Sequence, residues 1–301
     1  IGLGIPAEPL FRSEDLSIRI GTIIAMHADF DCSHIFDRLS SFGLSTCQIN
    51  NWHTSLYEDK AKTAECARVI REQMELKGVR PSALWAGYSG HVYWNFTEGP
   101  VSMGLVPPMY RSQRIADLRH GADFCKSLGL QAIITHCGFI PENMTDPEFL
   151  PTVMAIGEVA EYCKSLGLGF WFETGQETPV TLLRTIQKLE SLGIDNLGIN
   201  LDPSNLLLYG KGNPIDALEV FGKYVRNIHV KDGCVPTNGQ NLGEEKQVGK
   251  GMVDFPRFVK RLLEIGFDGE FIIEREIEES EEQARDIRET ISNLRKWAGE
   301  A

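Results

Sequence analysis

One phrase recurs along the chain and limits its fold more than any other feature: an amphipathic segment, a glycine, and then a short apolar run. A glycine just after the last helical turn takes the left-handed conformation that ends a helix, so each phrase predicts a helix, a short loop and a strand. The phrases end at seven glycines: Gly43, Gly78, Gly129, Gly167, Gly193, Gly222 and Gly266. Helices that alternate with apolar strands predict an α/β fold with a parallel sheet.

Eight short apolar segments supply the predicted strands, and they begin at Arg19, Ser45, Pro81, Gln131, Leu168, Leu197, Val225 and Glu270. Nearly continuous apolar strands indicate a sheet that is covered on both faces. With the intervening helices and a last helix predicted over 282–297, the count favours one (β/α)8 TIM barrel as a single domain over 1–301. A doubly wound open sheet is the alternative.

Charge and composition narrow the range of partners. The 42 Asp and Glu outnumber the 30 Lys and Arg, the net charge is −12, and no run of five basic residues occurs, which disfavours nucleic acid. No segment reaches the roughly 18 uncharged apolar residues that a membrane span needs. The seven cysteines are scattered and include no CxxC pair, so we expect reduced core thiols and a cytoplasmic protein. The first residues lack signal-peptide features, and the missing initiator Met predicts a processed beginning.

Polar side chains close the last four predicted strands: Glu173, Asp202, His229 and Glu274. The carboxyl ends of barrel strands meet at one face, where the active sites of such barrels lie. A buried carboxylate without a partner costs several kcal/mol, so we expect a positive charge between the three acids. Three carboxylates and one imidazole suit one divalent metal ion, with Mn²⁺ favoured and Co²⁺, Mg²⁺ or Zn²⁺ as alternatives.

Each of these residues also has a simpler interpretation when it is taken alone. An acid at a strand end is commonly a helix N-cap, and Asp202 directly before Pro203 fits that role. His229 alone is typical of a hydrogen-bonded core histidine. The metal site is favoured because the four residues close four consecutive strands at the same edge.

The chain resembles the sugar isomerase/epimerase superfamily of xylose isomerase-like barrels, and the resemblance covers nearly its whole length. The matching residues are Glu173, Asp202, His229 in IHVKD and Glu274 in IIERE. The resemblance implies that these four hold one divalent metal ion. It also implies that Glu173 and Glu274 lie on opposite sides of a bound ketose and pass a proton through an enediolate. Carboxylates can do this because a metal on the carbonyl oxygen acidifies the neighbouring carbon-bound proton.

Further residues near the predicted strand ends are candidates for substrate binding: Trp52, His53, His91, His136, Asn205, Lys231 and Arg275. Aromatic rings at a barrel mouth suit the C–H faces of a sugar, although a hydrophobic plug under a long loop is the alternative. His136 fits a substrate contact, an acid or base, or a structural hydrogen bond equally well. Strand alternation leaves the direction of Arg275 open.

Two long connections and three polar residues complete the predicted site. Residues 87–108 are rich in glycine and proline and predict a functional lid. The loop 237–251 either brings Glu245 and Lys246 to the substrate or is a solvated charged loop. We expect Glu177 to cap the helix that follows it, and Lys231 and Asp232 to orient the metal ligands.

The predicted activity is isomerisation or epimerisation of a ketose or keto-sugar. The alternative is a lyase or dehydratase that eliminates a β-substituent from a keto-sugar or 3-keto-glycoside, since both reactions begin with the same proton removal. A nuclease is disfavoured by the acidic charge and by Asn205, because the resemblance implies a histidine at that place in many relatives. A non-catalytic sugar-binding module is the weakest alternative. No P-loop pattern for a phosphate occurs, and association into homo-oligomers is a further expectation.

Overall fold

The computed structural model describes residues 18–299, and eight parallel strands close into a barrel in the order β1-β10-β7-β6-β5-β4-β3-β2. This confirms the predicted (β/α)8 barrel and excludes the open sheet, while residues 1–17 and 300–301 of the predicted domain lie outside the described part. The barrel strands are β1 (Arg19–Ala25), β2 (Thr46–Asn51), β3 (Arg80–Ala86), β4 (Ala132–Thr135), β5 (Gly169–Glu173), β6 (Leu197–Leu201), β7 (Val225–Val230) and β10 (Glu270–Ile273). A separate antiparallel pair, β8 (Asp232–Gly233) and β9 (Glu245–Lys246), lies in the loop after β7.

Helices connect the strands on the outside of the barrel. They are α1 (Asp37–Ser41), α2 (Lys60–Lys77), α3 (Gly99–Ser102), α4 (Pro108–Leu128), α5 (Phe149–Ser165), α6 (Pro179–Glu190), α7 (Pro203–Leu208), α8 (Pro214–Phe221), α9 (Phe255–Glu264) and α10 (Glu281–Gly299), with 3₁₀ turns at Thr54–Glu58 and Gly222–Tyr224. The last helix, α10, begins one residue before the predicted helix 282–297 and ends two residues after it.

Six of the seven predicted helix-ending glycines have positive φ, as expected for the residue that closes a helix. Gly222 is the exception, with φ −51° and ψ −34°, because α8 continues directly into a 3₁₀ turn there. The prediction of a left-handed end at Gly222 is wrong.

Side chains of the strands alternate between the barrel interior and the surrounding helices. An apolar cluster fills part of the interior and consists of Ala83, Trp85, Ala132, Ile134 and Trp171. A larger core lies between strands and helices, with fully buried Phe170, Ile156 and Leu182 among its members. The seven cysteines are free thiols and six of them are buried, which confirms the prediction of reduced core residues. Within residues 18–299, no helix combines the length and the apolarity that crossing a bilayer would require.

The predicted lid, residues 87–108, is anchored at its base by the fully buried Arg114 of α4. The Arg114 guanidinium donates to the carbonyl oxygens of Ser89, His91 and Gly104 at 2.7–3.1 Å. It also lies 4.5 Å from the ring centroid of Tyr88, whose hydroxyl accepts from the Gly104 N–H. These contacts fix both ends of the segment, so its middle, around Trp94, is the part that lies over the barrel mouth.

Candidate metal centre

Four adjacent strands bring Glu173, Asp202, His229 and Glu274 together at the carboxyl end of the barrel. Glu173 is the last residue of β5, Asp202 and Glu274 directly follow β6 and β10, and His229 lies near the end of β7. One potential ligand atom from each residue lies within 4.8 Å of those of the other three. Nδ1 of His229 is 3.0 Å from Oε1 of Glu173, 3.1 Å from Oε2 of Glu274 and 3.9 Å from Oδ2 of Asp202.

Three of these converging atoms are buried and have no hydrogen-bond partner among residues 18–299: Oδ2 of Asp202, Nδ1 of His229 and Oε2 of Glu274. Buried polar atoms are nearly always paired, because desolvation without a compensating partner costs several kcal/mol. Atoms that point at one common centre and lack partners therefore fit a cation at that centre. Three carboxylates and one neutral imidazole nitrogen match the oxygen-rich ligand sets of Mn²⁺ and Mg²⁺.

The pKa values of the three acids at the centre shift in different directions. Burial raises the pKa of Asp202 to about 6. Burial also works against ionisation of Glu274, but Lys231 and His229 outweigh it and lower the pKa of that carboxyl. For Glu173, the nearby His229 and His136 likewise overcome burial and lower its pKa. The glutamates are thus held as carboxylates, and Asp202 is the acid that gains most when a cation arrives.

Asp202 uses its two carboxylate oxygens for different purposes. Oδ1 accepts a hydrogen bond of 2.8 Å from the Asn205 N–H and caps helix α7, while Oδ2 faces His229. The backbone N–H of Asp202 donates to the Thr174 hydroxyl, which fixes the strand end. The simpler interpretation of this residue as an N-cap is therefore confirmed, and it leaves one oxygen free to face the centre.

A cavity of about 220 Å³ opens beside the four residues. One wall is aromatic: Trp52 packs on Trp85 with 3.9 Å between ring centroids, and Trp94 lies edge-on to His136 at 5.4 Å. Trp52 and Trp94 are each 45% exposed, so they form an open wall and not a buried plug. Polar side chains also line the cavity, and they include Asn205, Tyr209, Lys231 and Glu276.

The predicted substrate contacts divide into two groups. Trp52, His136, Asn205 and Lys231 line the cavity. The other three predicted contacts do not line it: His53, His91 and Arg275. The ring of His53 contacts Phe30 edge-on, and the ring of His91 stacks on Tyr93. Arg275 donates to Glu245 at 2.7 Å and to Asp286 at 2.9 Å. Strand alternation turns Glu274 toward the candidate metal centre and Arg275 away from it. Arg275 lines a neighbouring cavity together with Asn50 and Trp52, and substrate binding by His53, His91 and Arg275 stays a prediction.

Two secondary expectations are corrected, and the loop 237–251 follows its charged-loop alternative at Lys246, which is 40% exposed. Glu177 does not cap α6, because the Thr178 hydroxyl accepts from the Thr181 N–H and forms the cap. Asp232 does not orient the metal ligands: its carboxylate accepts from backbone N–H groups of the loop after β7, including those of Gly249 and Val253. In the same loop, Lys246 pairs with the exposed Glu244 and Glu245 pairs with Arg275. That loop contributes Leu242 to the cavity instead.

Several residues of the site were missed by the sequence reasoning, among them Gln48 and Asn50, whereas Trp85 is one of the aromatic residues expected at the barrel mouth. Oε1 of Gln48 on β2 lies 3.1 Å from Nε2 of His229, and Asn50 on the same strand lines the cavity. The indole N–H of Trp85 donates to Oε2 of Glu173. The available signal was the alternation of β2, where Gln48, Asn50 and Trp52 share one face and the apolar Cys47 and Ile49 lie on the other.

Comparison with known proteins agrees with this geometry. Residues 36–297 match the family described as xylose isomerase-like TIM barrel, and the chain belongs to that family. A xylose isomerase domain protein from Planctomyces limnophilus superposes with a TM-score of 0.82 at 29% identity, over 94% of this chain and 99% of that one. A D-tagatose 3-epimerase-like protein superposes with a TM-score of 0.67 at 18% identity, over 93% and 99% of the two chains, which shows the shared fold.

Similarity to curated proteins covers less of the chain. The inosose dehydratase of Geobacillus kaustophilus is 25% identical over 149 residues, which are 45% of this chain and 48% of that protein. The chain spans about half the length of the curated relatives it matches.

Proposed function

We propose that this protein is a divalent-metal-dependent isomerase or epimerase of a ketose or keto-sugar, which moves a proton next to the carbonyl through an enediolate. The observation that supports this most is the convergence of Glu173, Asp202, His229 and Glu274 on one centre, with unpartnered buried atoms, beside a sugar-sized cavity. At about 220 Å³ the cavity is smaller than the roughly 300–1,000 Å³ typical of drug-sized ligands, which suits one sugar unit.

Glu173 and Glu274 are the proposed proton-transfer groups. They lie at the ends of β5 and β10, the two outer strands of a four-strand arc, and the resemblance to the ketose epimerases supports their placement on opposite sides of a bound sugar. One carboxylate removes the carbon-bound proton, and either the same group returns it to the neighbouring carbon or the other returns it to the opposite face. A divalent ion at the centre, Mn²⁺ by preference, polarises the carbonyl and its adjacent hydroxyl when bound.

Lys231 is the proposed electrostatic partner of the intermediate. Its ammonium group lines the cavity and lies 3.5 Å from Oε2 of Glu274, so it can donate a hydrogen bond to a developing oxyanion. Trp85 holds the second oxygen of Glu173 and keeps that carboxylate in one orientation.

A lyase or dehydratase acting on a keto-sugar or 3-keto-glycoside is the second candidate. The similarity to an inosose dehydratase favours it, and so does the location of Lys231, whose N–H can protonate a departing hydroxyl. The two candidates share the first proton removal and differ in whether the substituent on the next carbon leaves.

One experiment distinguishes them. The protein is stripped with EDTA, reloaded with Mn²⁺ and incubated in D₂O with a panel of ketoses, inososes and 3-keto-glycosides. Deuterium at carbon in an isomeric product supports the isomerase, whereas a product that lacks a substituent supports the lyase. Glu173→Gln and Glu274→Gln should each abolish the metal-dependent exchange, and Glu161→Gln on the exposed face of α5 should not change it. Full exchange in Glu274→Gln would refute the role given to that residue.

A further inference from the structure

A row of buried amide side chains connects the metal ligand His229 to the substrate cavity. Oε1 of Gln48 accepts from Nε2 of His229 at 3.1 Å, and Nε2 of Gln48 donates to Oδ1 of Asn50 at 2.9 Å. Gln48 is completely buried, and Asn50, only 5% exposed, lines the cavity. The row therefore runs from the metal centre to the wall that faces the substrate.

The direction of every hydrogen bond in this row follows from the metal centre. Nδ1 of His229 faces three carboxylates and offers its lone pair to the ion, so the ring proton resides on Nε2. An Nε2–H group requires an acceptor, which makes the atom of Gln48 that faces it the oxygen. The Nε2 group of Gln48 must then donate to Oδ1 of Asn50, and the NH₂ group of Asn50 remains for the cavity.

A second contact prevents the Gln48 amide from turning over. Nδ2 of Asn227 lies 3.3 Å from Oε1 of Gln48 and 2.6 Å from Oδ1 of Asn200, so it donates to both oxygens. A reversed Gln48 would place its NH₂ group against two donors, those of His229 and Asn227, and leave two N–H groups buried without acceptors. Buried donors without acceptors are unfavourable, so the amide keeps the orientation described.

We propose that Gln48 is a positioning residue with two effects: it fixes the tautomer of His229 that binds the metal through Nδ1, and it orients Asn50 as a hydrogen-bond donor to a substrate oxygen. Asn50 is thereby a substrate-binding residue next to the aromatic wall. The inference rests on the proposed metal-dependent function of the site, and its first effect can be measured without any turnover.

The test of the first effect uses Mn²⁺ affinity, followed by electron paramagnetic resonance of the free ion. Gln48→Met keeps the volume but removes the acceptor, and we expect about 10- to 100-fold weaker Mn²⁺ binding, as for other lost partners of metal-bound histidines. Asn196→Ala is the matched control, because the Asn196 amide, just before β6, donates to the backbone carbonyls of Ala160 and Leu168, away from the centre. That variant should lose stability and keep its Mn²⁺ affinity. Equal affinity in Gln48→Met and the parent would overturn the proposal.

A spectroscopic signal separates a tautomer effect from general loosening. In the Co²⁺-loaded parent, the Nε2–H proton of His229 should give a shifted ¹H resonance that exchanges slowly with D₂O, and in Gln48→Met it should exchange rapidly. An unchanged resonance would contradict the role of Gln48 even if metal binding were weaker.

The test of the second effect uses unreactive polyols, sorbitol and myo-inositol, at saturating Mn²⁺. Asn50→Ala should keep the Mn²⁺ affinity and weaken polyol binding by about 5-fold or more, the loss expected for one hydrogen bond. If Gln48 acts on the ligand through Asn50, the Gln48→Met and Asn50→Ala double variant should bind polyol no more weakly than Asn50→Ala alone. Additive losses, or unchanged binding in Asn50→Ala, would refute the connection. These outcomes do not depend on which sugar reaction the protein catalyses.

Discussion

Lys231 faces Glu274 across the candidate metal centre, with 3.5 Å between Nζ and Oε2. The same ammonium group lies 3.7 Å from Oδ2 of Asp202 and 2.5 Å from Oε2 of Glu276. The side chain of Lys231 is only 4% exposed, so its charge is poorly screened by water. A protein cation therefore lies beside the same oxygens that a metal ion would bind, and the two positive charges repel each other.

Replacing Lys231 by Met should tighten metal binding and slow the reaction. Two unit charges about 4 Å apart interact by about 4 kcal/mol at an effective dielectric of 20, so removing one should increase Mn²⁺ affinity by about tenfold or more. The loss of a donor to the developing oxyanion should lower kcat by about a hundredfold. Titration with Mn²⁺ and steady-state kinetics measure the two effects. Lys246→Met, at a 40% exposed position, is the control. Weaker Mn²⁺ binding in Lys231→Met would mean that the lysine supports the ligands instead of competing with the ion.

The two functions of Asp202 can be separated by two substitutions. Asp202→Asn keeps an oxygen to cap α7 but loses a carboxylate ligand, whereas Asp202→Ala loses both. Both variants should bind Mn²⁺ at least about tenfold more weakly, and only the alanine variant should also lose the 0.5–2 kcal/mol typical of an N-cap. Urea denaturation in EDTA measures the cap, and Mn²⁺ titration measures the ligand.

Asp254 provides the comparison for these Asp202 variants, because it caps α9 through the Arg257 N–H and is exposed. Asp254→Ala should be destabilised and still bind Mn²⁺ normally. Equal stability of Asp202→Asn and Asp202→Ala would contradict the capping role.

The aromatic wall should contribute to sugar affinity through Trp52. Its indole packs on Trp85 and is 45% exposed toward the cavity mouth, where the C–H face of a sugar can cover it. Trp52→Ala should raise KM by about two- to tenfold, which corresponds to the 0.5–1.5 kcal/mol of an aromatic contact, without changing Mn²⁺ affinity. Trp52→Phe, the matched control, should retain most of the affinity. An unchanged KM in Trp52→Ala would mean that the aromatic wall does not contribute to sugar binding.

The barrel and the convergence of its four candidate ligands could be anticipated because both follow from local patterns. Apolar strands alternate with glycine-ended helices, and each candidate ligand closes its own strand, so closing the sheet is enough to bring the four together. The contact between Gln48 and His229 joins residues 181 positions apart across the barrel interior. No local pattern specifies which inward side chains meet there.

The wrong helix cap and the residues that do not line the described cavity also have local causes. Thr178 and Glu177 are both polar residues before Pro179, and the cap is the one directly before the proline, which is the preferred first residue of a helix. Arg275 follows a strand end, and the sequence alone did not show which face of the strand its side chain is on. In the structure it binds Asp286 on α10. His53 and His91 lie in loops whose course the sequence does not determine.

Glu177 should make the stability of the metal-free protein depend on pH. The side chain is 3% exposed, and its Oε2 has no hydrogen-bond partner in the described part of the chain. Burial raises its pKa to about 8 from the ordinary 4.5. Between pH 4.5 and 8 the folded protein retains a proton that the unfolded chain releases. The contribution of Glu177 to the free energy of unfolding is therefore fully present below pH 4.5 and is lost as pH rises toward 8, at about 1.4 kcal/mol per pH unit.

Glu177→Gln removes this proton but keeps the shape of the side chain. The free energy of unfolding of the variant minus that of the parent should increase by several kcal/mol from pH 5 to pH 8, because only the parent must release a buried proton. Guanidinium denaturation at pH 5, 6, 7 and 8 in EDTA measures the difference. For Glu161→Gln, at an exposed position, the difference in the free energy of unfolding between variant and parent should not change with pH. If the difference for Glu177→Gln also does not change with pH, the Glu177 carboxyl group is ionised in the folded protein and has a charged partner. Lys211 would be the candidate partner, because its charge acts to lower the pKa of Glu177. Lys211→Met would then test that pairing.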